Sequence, residues 1–155
     1  MSLEIERKYL VYPAKIPLPA TGTFLKQGYL NLDPERTVRV RVAGQEAWIT
    51  IKGKTENATR LEFEYPLPLS DAYTMLEDLC HQVIEKTRYI LPAGNDLTWE
   101  IDVFHGPNAP LIVAEIELPL PDSPFEHPEW LGEEVTDDPQ YYNSQLAQHP
   151  YQSWE

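Results

Sequence analysis

The chain has 155 residues, the usual size of one domain, so we predict a single domain over 1–155. Its formal net charge is −13, from 25 Asp and Glu against 12 Lys and Arg, which argues against nucleic acid and membranes as partners. The single cysteine, Cys80, excludes an internal disulfide, and no apolar run is long enough to span a bilayer. We therefore expect a cytoplasmic protein.

Eight runs of alternating apolar and polar residues are predicted to be β-strands. Prolines lie only at the ends of these runs or between them, as expected of strands. In chain order the runs cover 3–12, 24–32, 36–43, 46–54, 59–66, 84–91, 97–104 and 111–119. Eight antiparallel strands with few helices favour a mainly β fold, a closed barrel whose interior is filled by side chains or holds a small ligand.

Two helices are predicted beside these strands. The first covers 69–83, with Ser70 as its N-cap, because apolar residues recur there at helical spacing. The second covers 136–148, with Asp138 as its N-cap and Pro139 at the first helical position. We expect both helices to flank the barrel.

The polar faces of the predicted strands carry full charges or strong hydrogen-bonding groups, where a solvated face would mix in Ser, Thr and Asn. The run TVRVRV places Arg39 and Arg41 between valines, and WEIDVF places Asp102 in the same way. Two architectures fit this pattern: an open sheet with its charged face in water, or a closed barrel with its charged faces inside. Trp48 and Trp99 are assigned to the outer, helix-covered face.

Cations and carboxylates at alternating positions indicate a site for a phosphate-rich ligand and a metal. Arg and Lys at close quarters bind phosphate oxygens, and clustered carboxylates bind a hard divalent cation such as Mg²⁺ or Mn²⁺. Mixing the two signs relieves the repulsion within each. The sequence therefore predicts a lumen in which a metal bridges a polyphosphate and positions a water for attack.

These residues resemble the CYTH superfamily, the triphosphate tunnel metalloenzymes. The segment EIERK, from Glu4 to Lys8, matches the ExExK signature of the family, and the resemblance extends from Leu3 to about Leu146. Its other motifs are RVR at 39–41, IK at 51–52, RLEFE at 60–64, EKTRY at 85–89, EID at 100–102 and EIE at 115–117. The resemblance implies an eight-stranded antiparallel tunnel that acts on triphosphates with Mg²⁺ or Mn²⁺, and a C-terminal helix that helps to close one mouth.

The resemblance also implies roles for fourteen side chains. The expected metal ligands are Glu4, Glu6, Glu64, Asp102, Glu115 and Glu117. The expected triphosphate cradle is Lys8, Arg39, Arg41, Lys52, Arg60, Lys86 and Arg88. Lys8 is also placed in the catalytic set, together with Tyr29, which we hypothesise orients or deprotonates the attacking water; a hydrogen-bonding residue of the wall is the alternative role for Tyr29.

The short chain looks most like the small stand-alone inorganic triphosphatases of the family. We therefore expect metal-dependent hydrolysis of inorganic tripolyphosphate, with no nucleic-acid or membrane partner and with a homodimer as an option. Thiamine triphosphatase and adenylate cyclase are alternatives within the family. A polyphosphate or nucleotide sensor without catalysis is the alternative outside enzymes.

Overall fold

The computed structural model of the chain describes residues 3–80 and 82–154. The strands are β1 Leu3–Val11, β2 Thr23–Asn31, β3 Arg36–Ala43, β4 Glu46–Gly53, β5 Thr59–Pro66, β6 Val83–Gly94, β7 Leu97–Phe104, β8 Ile112–Glu117 and β9 Leu131–Glu134. The helices are α1 Leu69–Asp78 and α2 Asn143–Gln148, with short 3-10 turns at Gly106–Asn108, Pro139–Tyr141 and Tyr151–Ser153. Within the described residues, no helix is both long and apolar enough to cross a membrane.

Eight antiparallel strands close into a barrel. The strands follow one another in the order β5-β4-β3-β2-β6-β7-β8-β1, and β1 returns to β5 with Glu4 opposite Arg60. The predicted closed eight-stranded barrel is confirmed, and the open sheet is wrong. The alternation in the sequence reflects side-chain orientation, because successive side chains of each strand point alternately into the barrel and out of it.

A ninth strand, β9, was not predicted, and it completes the edge of β1. Strand β5 pairs only with the first residues of β1, whereas β9 stands opposite Tyr9 and Val11 near its end. Between these two pairings the backbone N–H of Glu6 donates to the Ala58 carbonyl at 3.0 Å, and that of Lys8 donates to Thr136 Oγ1 at 3.0 Å. The edge of β1 is thus hydrogen-bonded by two stretches of chain, 58–61 and 131–136.

The outer face of the barrel is covered on two sides. Helix α1 packs on β2, β3 and β4, where Gly28 permits the approach: a Cβ there would lie 2.8 Å from the Cβ of Cys80. On the other side, Trp99 packs edge-on against Tyr9 and Trp130 beneath the loops. The outer faces of β4 and β5 remain exposed, and the apolar residues that they and β1 present there are Leu3, Ile51, Leu61, Phe63 and Tyr65.

One end of the barrel interior is apolar and is closed by α2. Inward-facing side chains of five strands meet the helix residues Leu146 and Ala147 in a single cluster, and the strand residues of that cluster are Leu10, Tyr29, Ile84, Phe104 and Val113. The closed mouth agrees with the expectation drawn from the family resemblance.

Both predicted helices differ in their limits. The first begins at Leu69 with Pro68 at the N-cap, so the assignment of Ser70 as N-cap is wrong. It ends at Asp78 because β6 begins at Val83, and His81 within the predicted range lies outside the described residues. The predicted second helix is divided into a 3-10 turn and α2. Asp138 does cap the 3-10 turn, accepting from the Gln140 backbone N–H at 3.1 Å.

Candidate functional site

Inward-facing side chains of the strands, together with the segment at the start of α2, enclose a charged cavity of about 220 Å³. Thirteen of the fourteen predicted site residues line it: Glu4, Glu6, Lys8, Tyr29, Arg39, Arg41, Lys52, Arg60, Glu64, Lys86, Arg88, Glu115 and Glu117. Strand register explains the convergence, since Lys8 stands opposite Glu115 and Glu6 opposite Glu117 in the β1–β8 pair. Residues opposite one another on neighbouring strands point to the same side of the sheet. The charged residues of adjacent strands therefore all point into the barrel.

Glu4 lies in a corner of the lumen between two cations. Its Oε1 accepts from Lys52 Nζ at 2.9 Å and from Arg60 Nε at 3.2 Å. Burial raises the pKa of Glu4, but the charges of Lys52 and Arg60 together outweigh it and bring the pKa down to about 2. Glu4 is therefore an ionised, fully paired carboxylate.

Asp102 is paired still more completely. It is fully buried, and its Oδ2 accepts from Lys86 Nζ at 2.7 Å while its Oδ1 accepts from Arg88 Nε at 2.8 Å. Burial acts to raise the pKa of Asp102, but Arg88 and then Lys86 hold it well below its usual range. Alone among the fourteen predicted residues, Asp102 does not line the cavity. We call Glu4 and Asp102 the paired acids.

Glu6 and Glu117 stand opposite one another across β1 and β8 and have a different environment. Among residues 3–80 and 82–154, neither has a cationic nitrogen within 4.0 Å. Burial, then the charges of Glu115 and Glu4, raise the pKa of Glu6 well above its ordinary value. Burial and nearby carboxylates raise the pKa of Glu117 as well. We call Glu6 and Glu117 the unpaired acids.

These carboxylates suit a hard divalent cation that takes its remaining ligands from water and from a phosphate-containing substrate. No three His, Cys, Asp or Glu side chains of the described residues are grouped closely enough to hold a metal by themselves. Mg²⁺ does not need such a cage, because it keeps several waters and uses one or two carboxylates together with phosphate oxygens. Glu6 and Glu117 offer two carboxylates whose ionised forms are disfavoured by burial and by nearby carboxylates, a cost that a bound cation would offset.

The buried arginines of the lumen lie close enough to repel one another. Burial, then the charges of Arg39 and Arg88, lower the pKa of Arg41 to about 9. Arg39 donates from Nη2 to Thr50 Oγ1 at 3.2 Å, but its buried Nε has no hydrogen-bond partner among the described residues. A buried donor without a partner is rare and costly, so the Nε of Arg39 is a position where a ligand oxygen would be stabilised.

Six lining residues were absent from the predicted set: Thr37, Glu62, Glu100, Tyr142, Asn143 and Ser144. The two glutamates could have been found, because they follow the same alternation as their neighbours Glu64 and Asp102. The last three belong to the segment at the start of α2, and no strand periodicity marks them.

The assignment of Trp48 to the outer face is wrong. In the β3–β4 register Trp48 stands opposite Arg41, and it has the same parity along β4 as Thr50 and Lys52, so it belongs to the inner face. Trp99 is on the outer face, as predicted, and is almost completely buried there.

Known proteins resemble this chain over almost its whole length. The model of the CYTH domain matches residues 2–149. The chain is 43% identical over 155 residues to the inorganic triphosphatase of Acetivibrio thermocellus, covering 99% of each chain. It is 35% identical over 150 residues to the inorganic triphosphatase of Nitrosomonas europaea, covering 93% of this chain and 96% of the relative.

A solved structure described as an inorganic triphosphatase superposes with a TM-score of 0.67 at 33% identity, covering 95% of both chains. Similarity in fold and similarity in sequence thus both extend over almost the whole chain. The chain belongs to the CYTH domain family.

Proposed function

We propose that this protein is an inorganic triphosphatase that hydrolyses tripolyphosphate with a divalent metal. One observation carries the proposal: a single lumen holds crowded, buried cations, including the unpartnered Nε of Arg39, together with the unpaired acids. A bound polyanion would offset the repulsion among the cations, and a bound divalent cation would offset the cost of ionising the unpaired acids. The two relatives named as inorganic triphosphatases support the same activity.

The cradle for the substrate is formed by cations of several strands. Arg39 and Arg41 project from β3, and each offers a planar fork of donors that suits phosphate oxygens. Lys52 and Arg60 add charge from the corner of Glu4, and Lys86 and Arg88 add it from the corner of Asp102. In this arrangement the paired acids hold the lysines and arginines in position for phosphate.

The metal, proposed as Mg²⁺ or Mn²⁺, would be held by Glu6 and Glu117. When bound, such an ion neutralises phosphoryl oxygens and acidifies a coordinated water. Glu115, opposite Lys8, and Glu64, which accepts from Thr50 Oγ1 at 3.0 Å, remain further candidates as ligands. Glu4 and Asp102, named as metal ligands from the resemblance, instead serve as counter-ions for the cradle in this proposal.

Tyr29 is proposed to orient the attacking water. It lines the cavity, and in the β2–β3 register it stands opposite Arg39. Its hydroxyl can accept from and donate to a water at the same time, as such a role requires. Lys8 is the other proposed catalytic residue. Its Nζ donates to the Tyr141 carbonyl at 3.2 Å and lies 3.8 Å from Glu115 Oε1, so its charge lies beside that carboxylate.

The experiment is a comparison of product release from tripolyphosphate, ATP, thiamine triphosphate and pyrophosphate, each with Mg²⁺ and with Mn²⁺. We expect phosphate release from tripolyphosphate to be fastest, to require the metal, and to be lost in Glu6→Gln. Preferred turnover of thiamine triphosphate, or pyrophosphate release from ATP, would favour the other two activities of the family. Thermal stabilisation by tripolyphosphate without turnover would favour a sensor.

We also propose that two copies associate through the exposed outer face of β4 and β5. The inward charges leave this face with no charged side chain: its outward residues are Ile49, Ile51, Gly53, Thr59, Leu61, Phe63 and Tyr65. Two copies that each carry a net charge of −13 repel elsewhere, so this is where they can meet at least cost. Sedimentation should find a dimer that Phe63→Glu dissociates and Leu120→Glu, on an exposed loop, does not. A monomeric wild-type protein would refute the proposal.

The proposed compartment is the cytoplasm, and the proposed partner is a small free polyphosphate. Cys80 is buried as a free thiol against β2 and needs no oxidising environment. The acidic balance of the chain favours a small ligand that fits inside the lumen over a nucleic acid that must lie on the surface.

A further inference from the structure

The first residue of α2, Asn143, lies at the junction between the apolar plug and the charged cavity. It lines the cavity, and its Oδ1 accepts two hydrogen bonds, from Lys86 Nζ at 3.0 Å and from Gln27 Nε2 at 3.2 Å. Gln27 is fully buried and in turn accepts from Arg41 Nε at 2.9 Å. Asn143 therefore joins two cradle cations, Lys86 directly and Arg41 through one side chain.

These contacts determine which way the Asn143 amide faces. Two donors converge on the same atom, so that atom must be the oxygen, and the planar amide then directs its NH₂ group away from both. Among residues 3–80 and 82–154 no acceptor is hydrogen-bonded to Nδ2. Asn143 thus brings an amide group, whose N–H donors have no partner among those residues, to the lining of a cavity that seven cations also line.

The backbone next to Asn143 is also held by a catalytic candidate. Lys8 Nζ donates to the Tyr141 carbonyl at 3.2 Å and lies 5.5 Å from the centre of the Tyr142 ring. Lys8 of β1 and Lys86 of β6 therefore both donate hydrogen bonds to the segment 141–143. Its position relative to the cradle is fixed by more than the apolar contacts of α2.

We infer that Asn143 is a substrate-binding residue, which donates from Nδ2 to the phosphate group seated nearest α2. This inference rests on the proposed function and adds a contact from outside the strands. A neutral donor suits this position because Lys86, Arg41 and Arg88 already crowd it with positive charge. The C-terminal segment is then part of the substrate site as well as a plug.

The test is Asn143→Asp, which keeps the shape and the oxygen acceptors for Lys86 and Gln27 but replaces the donor with a negative charge. We expect the ligand-free melting temperature to be unchanged or higher. We expect KM for tripolyphosphate to rise about tenfold or more, with a smaller change in kcat. The matched control is Gln148→Glu, which adds the same charge on the exposed end of α2 and should behave as wild type.

Asn143→Ala separates loss of the donor from the added charge, and a rise in KM of about threefold to tenfold is expected. If that variant does not unfold cooperatively, Asn143→Asp decides alone. A KM for Asn143→Asp within about twofold of wild type and of the control would overturn the inference while leaving the triphosphatase intact.

If the wild-type protein has no turnover, the proposed function fails and the inference is judged by binding alone. The thermal shift produced by tripolyphosphate should then be smaller in Asn143→Asp than in wild type and in Gln148→Glu. An equal shift in all three would overturn the inference.

Discussion

Glu4 and Glu6 are two residues apart on the same face of β1, yet they belong to regions of the lumen with opposite electrostatics. Glu4 is held by Lys52 and Arg60, and the pKa of its carboxyl is lowered to about 2. Glu6 faces Glu115 and Glu117, and the pKa of its carboxyl is raised. The difference teaches that a buried charge in this lumen is either structural or poised for a ligand, and that its neighbours across the strands decide which.

Removing a paired acid should cost the most. Asp102→Asn leaves Lys86 and Arg88 buried without their counter-charge, and we expect a loss of about 3–5 kcal/mol in the free energy of unfolding. Urea denaturation followed by circular dichroism measures it. Glu117→Gln, which removes an unpaired acid, is the matched control and should cost almost nothing. A loss below about 1 kcal/mol for Asp102→Asn would break the distinction between the two groups.

The second test uses pH on the metal-free protein. The pKa of Glu4 in the folded state, about 2, lies below its ordinary value of 4.5, so the unfolded chain binds more protons between these values. The stabilising contribution, about 3 kcal/mol, is complete above about pH 4.5 and is lost as the pH falls through about 2. The stability difference between wild type and Glu4→Gln should therefore shrink from pH 7 to pH 2. Glu77→Gln, the same change at an exposed position, is the control, and a constant difference for Glu4→Gln would contradict the assignment.

The third test concerns function without loss of folding. Glu6→Gln removes a carboxylate whose ionisation burial and Glu115 oppose, so the metal-free melting temperature should stay the same or rise. Metal-dependent turnover of tripolyphosphate should fall about 100-fold or more, because an unpaired acid proposed to hold the metal is gone. Loss of the cooperative thermal transition in Glu6→Gln would place it with the paired acids instead.

The smallest expected effect is on the cation wall. Arg39→Lys keeps the charge but removes the unpartnered Nε and the planar fork, so KM for tripolyphosphate should rise about tenfold. Arg36→Lys, the same change at an exposed position outside the lumen, is the control and should leave KM unchanged. Equal KM values would mean that Arg39 acts only as a point charge.

Alternation with a period of two was sufficient to predict the eight strands and their charged faces, whereas the choice of a closed barrel over an open sheet and the set of site residues came from the family resemblance. The period separates inside from outside, but it carries no information on which charges meet across the barrel. Asp102 and Glu100 are therefore equivalent in the sequence, yet Asp102 is enclosed by Lys86 and Arg88, while Glu100 lines the cavity. That distinction arises only from the register of β6 against β7.

The segments that sequence patterns missed depend on tertiary contacts. Strand β9, with the sequence LGEE, is too short and too acidic to alternate, and it exists because the edge of β1 beyond β5 needs partners. The start of α2 has no strong cap, and Asn143 is placed by Lys86 and Gln27 instead. The error at Trp48 has a simpler origin, because its parity with Lys52 was available in the sequence.

The apolar cluster beneath α2 gives the lumen a floor. A polyphosphate bound as proposed would then reach the cradle from the side of the lumen away from this floor, and its products would leave on the same side. Entry and departure would share one region of the lumen, so a product that stays on the cradle would compete with the next substrate molecule.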